Sequence, residues 1–145
     1  MVSKAQEKKN EKEAEEVVRL RAPVVYTAVK QEGEDELSRP LISLWWSGIA
    51  AGFAIFLSVI SMGILHHHRG DNPLVHLGYS VGFLVVILGR LQLFTENTIT
   101  AVVPLLAEPK KKVLNQTLRL WAIVFAANMV GIFIVSAAVF NFGLV

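Results

Sequence analysis

The sequence of 145 residues contains no cysteine, and it has almost no charge over long stretches. Without cysteine the chain has no disulfide framework, no thiol nucleophile and no thiolate metal site. Residues 1 to 39 contain eight Lys or Arg and nine Asp or Glu, whereas the remainder contains only six and three. This division is typical of a polar tail followed by a membrane domain. The net charge of +2 gives no reason to expect nucleic acid as a partner.

The sequence also lacks the motifs of enzymatic chemistry. It has no phosphate-cradling glycine loop, no convincing pair of nucleophile and base, and no paired carboxylates in a pocket. Residues 66 to 68 are three histidines, but consecutive side chains diverge around a helix and only Asp71 accompanies them. We therefore predict an interfacial loop there, with no metal, no cofactor and no enzymatic activity.

Two stretches without any charge are long enough to cross a bilayer. Residues 41 to 65 and residues 120 to 145 are free of Asp, Glu, Lys and Arg. At 1.5 Å per residue, the first covers about 37 Å, which exceeds a hydrocarbon core of about 30 Å. Trp45 and Trp46 lie near its start, where indole rings favour the membrane interface. Both stretches are predicted to be transmembrane helices.

A third apolar region, residues 76 to 107, is too long for one straight span. As a single helix it would reach about 48 Å. A polar segment, residues 89 to 98, lies inside it, so we predict two half-helices, 77 to 88 and 99 to 107, that cross the membrane together. Broken backbone at that depth is tolerated only where it is buried in protein or lines a water-filled cavity. Discontinuous helices of this kind mark substrate sites in transporters.

The domain organisation follows from these spans. Residues 1 to 39 are predicted to be a charged tail, a solvated helix or disordered arm whose end, residues 30 to 40, is a linker. Residues 40 to 145 form the membrane domain. Basic residues in the tail and at positions 110 to 112 outnumber those in the first loop, so the N-terminus is predicted to be cytoplasmic.

The segment LGRLQLFTENTITAVV resembles the broken second membrane segment of the formate/nitrite transporter family, which carries Leu-Phe-Thr in its loop, here Leu93, Phe94 and Thr95. SLWWSGIAAGFAIFLSV is similar to the first helix of that family. FAANMVGIF is similar to its third, with Asn128 and Gly131 at the positions of a recurrent Asn and Gly. The resemblance extends from about residue 40 to the end.

The resemblance implies an aquaporin-like fold of two inverted three-helix repeats, assembled as a pentamer with one pore in each protomer. Only one repeat is present here, so the fold class expected is an all-α membrane protein, an aquaporin-like half-repeat with three membrane segments. The family's pore histidine belongs to the second repeat, so the histidines of this chain do not inherit its role. We expect half of a channel for small monovalent anions such as formate or nitrite, in a bacterial inner membrane, incomplete for transport alone. A truncated product or fragment explains this better than a natural half-length subunit.

Five residues are candidates for the anion pathway. The hydroxyl of Thr95 either donates to or accepts from a permeating oxyanion or water, or bonds backbone amides freed by the break. By the resemblance, Leu93 and Phe94 form an apolar constriction, which gates by dewetting, although plain core residues would give the same pattern. Tyr79 and Phe83, four apart on the preceding half-helix, share a face and serve either packing or the pathway.

Two charged residues and several small residues complete the candidates. Arg90 either pairs with Glu96, because unpaired charge is costly at this depth, or contacts permeating anions. Small residues four apart allow close helix approach, and Asn128 is expected to bond across to a neighbouring segment. The residues assigned to helix packing are Gly48, Gly52, Gly78, Gly82, Asn128 and Gly131.

A second function fits the same sequence. The three segments could serve only as an anchor, while the charged tail recruits a cytoplasmic partner. This alternative is a nonconducting membrane interaction protein, and it requires the tail for its function.

Overall fold

The computed structural model describes the backbone of residues 4–70 and 72–143, and their side chains from residue 21 onward. Within that part of the chain every regular element is helical, which confirms the predicted all-α membrane fold. The elements are α1 (Lys4–Ser38), α2 (Leu41–Arg69), a 3₁₀ helix (Pro73–Tyr79), α3 (Ser80–Gly89), α4 (Phe94–Ala107) and α5 (Lys111–Asn141).

Helices α2 and α5 are each long and apolar enough to cross a membrane. With 29 and 31 residues, they measure about 44 and 46 Å. Helix α2 begins where predicted but continues through the three histidines to Arg69, so the loop predicted there is wrong. Helix α5 begins at Lys111, nine residues before the predicted start, because its first turns are polar and give no hydropathy signal. Residues 144–145 of that predicted span lie outside the described residues.

The middle segment is broken, as predicted. The pair formed by Pro73–Gly89 and Phe94–Ala107 is bent by 44° and counts as a third span if both halves cross as one. The break covers only residues 90–93, not 89 to 98. Polar side chains in the first turns of α4 do not interrupt the helix: a carboxylate such as that of Glu96 is favoured near a helix N-terminus.

Small residues set the distance between α2 and α5. A Cβ atom on Gly48 would lie 2.7 Å from the Cβ of Ala127, and the Cα of Gly131 lies within 3.0 Å of a Cβ built on Gly52. Such contacts leave no room for larger side chains, so the two backbones meet closely as membrane packing requires.

Small residues also seat the 3₁₀ helix and α3 on α2. A Cβ on Gly78 would lie 2.9 Å from the backbone nitrogen of Met62. The N–H of Gly82 donates to Ser58 Oγ at 3.0 Å, a bond buried between the helices. The first half of the broken segment is therefore fixed to α2 along its length.

The end of α1 is part of the packed structure, so the predicted linker at residues 30 to 40 is wrong. Helix α1 continues to Ser38, and Gly33 and Leu37 are buried where it contacts α4 and α5. The neighbouring residues are charged and exposed, so the sequence pattern gave no sign of the two buried residues. The core cluster at this point joins four helices and consists of Leu37, Leu44, Ala101, Leu120 and Val124.

Charged side chains also stabilise the C-terminal end of α1. The Nη2 of Arg119 donates to the carbonyl oxygens of Leu37 at 3.2 Å and Arg39 at 3.0 Å, and a cation is favourable at a helix C-terminus. Lys30 of α1 lies 4.0 Å from Glu108, beyond the end of α4. The hydrogen bond from Lys110 lowers the pKa of the Glu108 carboxyl, so this exposed contact stays ionised at neutral pH.

Gly33→Ala tests the docking of α1. Its new Cβ would meet Pro104 Cγ at 2.7 Å, so we expect a loss of about 1 to 3 kcal/mol in the free energy of unfolding, measured by denaturation in detergent micelles. Gly63→Ala is the control: Gly63 lies in a helix with nothing within 4 Å of its Cβ position, and this change should stabilise by up to about 1 kcal/mol. Equal effects of the two changes would show that α1 is not docked.

Candidate functional site

The candidate site is the break between α3 and α4, residues 90–93, which we call the elbow. Helix α3 ends there because Arg90 adopts a left-handed conformation with φ 47°. The N–H groups of Arg90 and Leu91 turn back to the carbonyls of Ile87 at 3.3 Å and Val86 at 3.0 Å, a Schellman motif. Glycine is the usual residue at this position, so an arginine there is unusual.

Asn128 of α5 ties the elbow to two helices. Its Oδ1 accepts from the N–H of Phe94 at 2.9 Å, which caps the start of α4. Its Nδ2 donates to the carbonyl oxygens of Gly48 at 2.8 Å and Gln92 at 2.9 Å. Three polar bonds of one buried side chain therefore join α2, the elbow and α5.

Other side chains make further hydrogen bonds near the elbow. Ser47 Oγ accepts from the N–H of Gln92 at 3.1 Å. The Nδ2 of Asn97 donates to Oε1 of Gln92 at 2.7 Å, and Trp121 Nε1 donates to the carbonyl of Asn97 at 3.3 Å. Gln92 and Asn97 are only 4% and 5% exposed. Partners of this kind are what a helix break needs in a water-poor environment.

A cavity of about 550 Å³ opens beside the elbow. It lies between the last turns of α1, the end of α3 and the first turns of α4. Four carboxylates and two guanidinium groups line it together with amide, hydroxyl and apolar side chains. Its residues are Glu32, Asp35, Glu36, Arg39, Val86, Ile87, Arg90, Leu91, Gln92, Glu96, Asn97 and Thr100.

Of the five predicted pathway residues, Leu93, Phe94 and Thr95 lie at or next to the elbow, and none of the five lines this cavity. Leu93 packs on the cluster of Ala51, Ala54 and Val86. Phe94 packs on the other core cluster and its ring lies 5.2 Å from that of Phe125. Thr95 lies in the first turn of α4, not in a loop, and is exposed.

Tyr79 and Phe83 are in contact with each other, whereas Arg90 and Glu96 are not paired. The ring centroids of Tyr79 and Phe83 lie 5.7 Å apart on an exposed face. Among the described residues no ion pair joins Arg90 and Glu96, so the pairing considered from the sequence is not formed. Arg90 ends α3 in a left-handed turn and Glu96 begins α4, and both side chains line the cavity.

The histidines lie far along the chain from the elbow. His66, His67 and His68 are exposed in the last turns of α2, and the rings of the latter two are 5.5 Å apart, edge to face. Asp71 lies outside the described residues. In the part of the chain that the structure covers, no group of three or more His, Cys, Asp or Glu side chains could hold a metal ion.

Sequence reasoning assigned no role to Ser47, Gln92, Asn97 or Thr100. Each is a polar residue in an otherwise apolar stretch, which was the available signal because such residues in membrane segments need partners. Ser47 bonds the elbow from α2 and Trp121 bonds the carbonyl of Asn97 from α5, and the sequence alone could not pair residues on different helices.

The sequence comparisons agree with this architecture. The model of a family described as formate/nitrite transporter matches residues 23–145. The chain belongs to the formate/nitrite transporter family. It is an integral membrane protein. The match starts well before residue 40, where the resemblance was expected to begin, and includes the docked end of α1.

A relative from this family is Inner membrane protein YfdC of Escherichia coli (strain K12), which is 41% identical over 115 residues, or 77% of this chain. Those residues are 37% of the relative, so the chain spans well under half of that protein's length. No solved structure matches the chain.

Asn128→Ala tests the joint at the elbow. Hydrogen bonds between membrane helices average about 0.6 kcal/mol, so losing three should lower the free energy of unfolding by about 2 kcal/mol. Asn141→Ala is the matched control on the same helix, because Asn141 is exposed and bonds only the carbonyl of Ala137. Denaturation in detergent micelles measures both. A loss no larger for Asn128 than for Asn141 contradicts the joint.

Proposed function

We propose that this chain supplies the first of two repeats of a channel for small monovalent anions, with formate and nitrite as the leading substrates. The observation that carries the proposal is the elbow: a helix broken inside an apolar chain, with its backbone bonded by Ser47 and Asn128 and a polar cavity beside it. Discontinuous helices with polar cavities are where membrane transporters bind solutes. Membership of the family supports this substrate class.

A second repeat completes the pathway in this proposal. The aligned part of YfdC is 37% of that protein, which leaves room for a further repeat. The exposed apolar side chains of the 3₁₀ helix, α3 and α4 support such a partner, and they include Leu77, Leu84, Ile87, Leu88 and Ile99. The assembly is a pentamer in the inner membrane, with the N-terminus and the loop between α4 and α5 in the cytoplasm.

In this channel Leu93, Phe94 and Thr95 form the narrow part beside the elbow. The exposed hydroxyl of Thr95 has no hydrogen-bond partner among the described residues, which leaves it available to a solute. Leu93 and Phe94 restrict the passage while they pack on the two core clusters. Tyr79 and Phe83 extend the apolar wall on the same segment.

The test is anion flux through a fusion of this chain with the part of YfdC that follows the aligned region. Reconstituted in proteoliposomes, it should carry formate or nitrite, whereas the chain alone should not. Thr95→Val removes one hydroxyl and should lower the flux about fivefold, the effect of one hydrogen bond of about 1 kcal/mol. Thr98→Val is the control, because its hydroxyl already bonds the carbonyl of Thr95. A silent fusion would count against the channel.

Removing residues 1 to 22 separates the channel from the interaction protein. The family match begins at residue 23, and the buried contacts of α1 are made by Gly33 and Leu37. The truncated fusion should therefore keep its flux within about twofold, because it retains Gly33 and Leu37. Removing residues 1 to 38 cannot separate the two functions, since it also strips those contacts. Retained membrane insertion with complete loss of flux would favour the recruitment function.

A further inference from the structure

Of the two arginines that line the cavity, one is paired with a carboxylate of the described chain and the other is not. Arg39 is neutralised by Glu36, whose two carboxylate oxygens lie 3.0 and 3.3 Å from its Nη1. Arg90 has no carboxylate within salt-bridge distance in the described part of the chain, although Glu96 lines the same cavity. The side chain of Arg90 is exposed, so its guanidinium group is available to an anion that enters the cavity.

Two neutral groups beside Arg90 also lack partners. The bond between Gln92 and Asn97 uses Oε1 of Gln92 and leaves its Nε2 without a protein partner among the described residues. Thr100 Oγ1 is buried and has no hydrogen bond. Gln92 Nε2 is accessible and can donate to a molecule in the cavity, whereas Thr100 Oγ1, like Arg119 Nε elsewhere in the described chain, is enclosed by protein.

The backbone of Arg90 gives an independent indication. Its φ of 47° is a left-handed conformation that glycine adopts freely and that other side chains occupy at a cost. Glycine at this position would end α3 equally well. Residues held in such conformations are concentrated at functional sites, which favours a role for the side chain.

We propose that the cavity binds one small monovalent oxyanion, formate or nitrite, and that Arg90 is its specificity-determining residue. The guanidinium group contacts two oxygens of the anion, and Gln92 Nε2, which lines the same cavity, is a neutral donor to it. The carboxylates of Glu32, Asp35 and Glu96 oppose each negative charge on a ligand, so they exclude multivalent anions. This site rests on the proposed anion channel and adds a residue to it.

The test is the concentration dependence of formate flux through the fusion described above. Arg90→Gly should raise KM about tenfold with little change in the maximal rate, because it removes one charge-assisted contact and suits the left-handed backbone. Arg90→Lys should recover part of the affinity, since it keeps the charge without the planar fork. Glu96→Gln should lower KM. Lys112→Gln, a change of an exposed cation outside the cavity, should leave KM unaltered.

A binding experiment distinguishes this site from the proposed channel. It measures the binding of ¹³C-formate to the 145-residue chain in nanodiscs by saturation-transfer NMR. Binding that is present in the natural chain and lost in Arg90→Gly supports the site, even where the fusion carries no flux. Flux with a KM unchanged by Arg90→Gly overturns the site and leaves the channel standing. Absence of formate binding to the natural chain also overturns it, as does a sulfate affinity equal to that of formate.

Discussion

The structure depends on the three hydrogen bonds of Asn128. A helix that ends within an apolar environment leaves N–H and C=O groups that no water can satisfy, so the break can exist only where protein groups replace water. Asn128 reaches those groups because α2 and α5 approach closely at Gly48, where a Cβ would lie 3.4 Å from its Nδ2. The close approach of α2 and α5 is therefore required for the hydrogen bonds that stabilise the elbow.

Sequence reasoning predicted the break from length and polarity, but not its extent. The run of 32 residues is hardly longer than α5, which is unbroken with 31, so the polar segment inside the run was a better signal of the break than its length. Where α3 stops and α4 starts depends on the φ of Arg90 and on partners from α2 and α5, none of which local composition encodes. The polar residues after Phe94 belong to the first turns of a helix, where polar side chains are common.

The docked end of α1 was missed for a related reason. Its buried stripe consists of Gly33 and Leu37 within a charge-rich run, and a glycine adds nothing to a hydropathy profile. The family match from residue 23 and the burial of this stripe agree that the membrane domain begins before Pro40. One consequence concerns the cavity, which is lined by Glu32, Asp35 and Glu36 of α1 and by Arg39, the residue after it. The tail and the elbow thus form one electrostatic environment.

That environment has four carboxylates and two guanidinium groups, an excess of negative charge beside a proposed anion site. This mixture of opposite charges suits a site that an anion passes through better than a site that retains it. Conduction requires a solute to bind well enough to enter and weakly enough to leave. Arg90 supplies the attraction, and the surrounding carboxylates, of which Glu96 is the nearest along the chain, reduce it. A site lined only by basic groups would hold a small anion more tightly and release it more slowly, so in the proposed channel the acidic wall favours turnover.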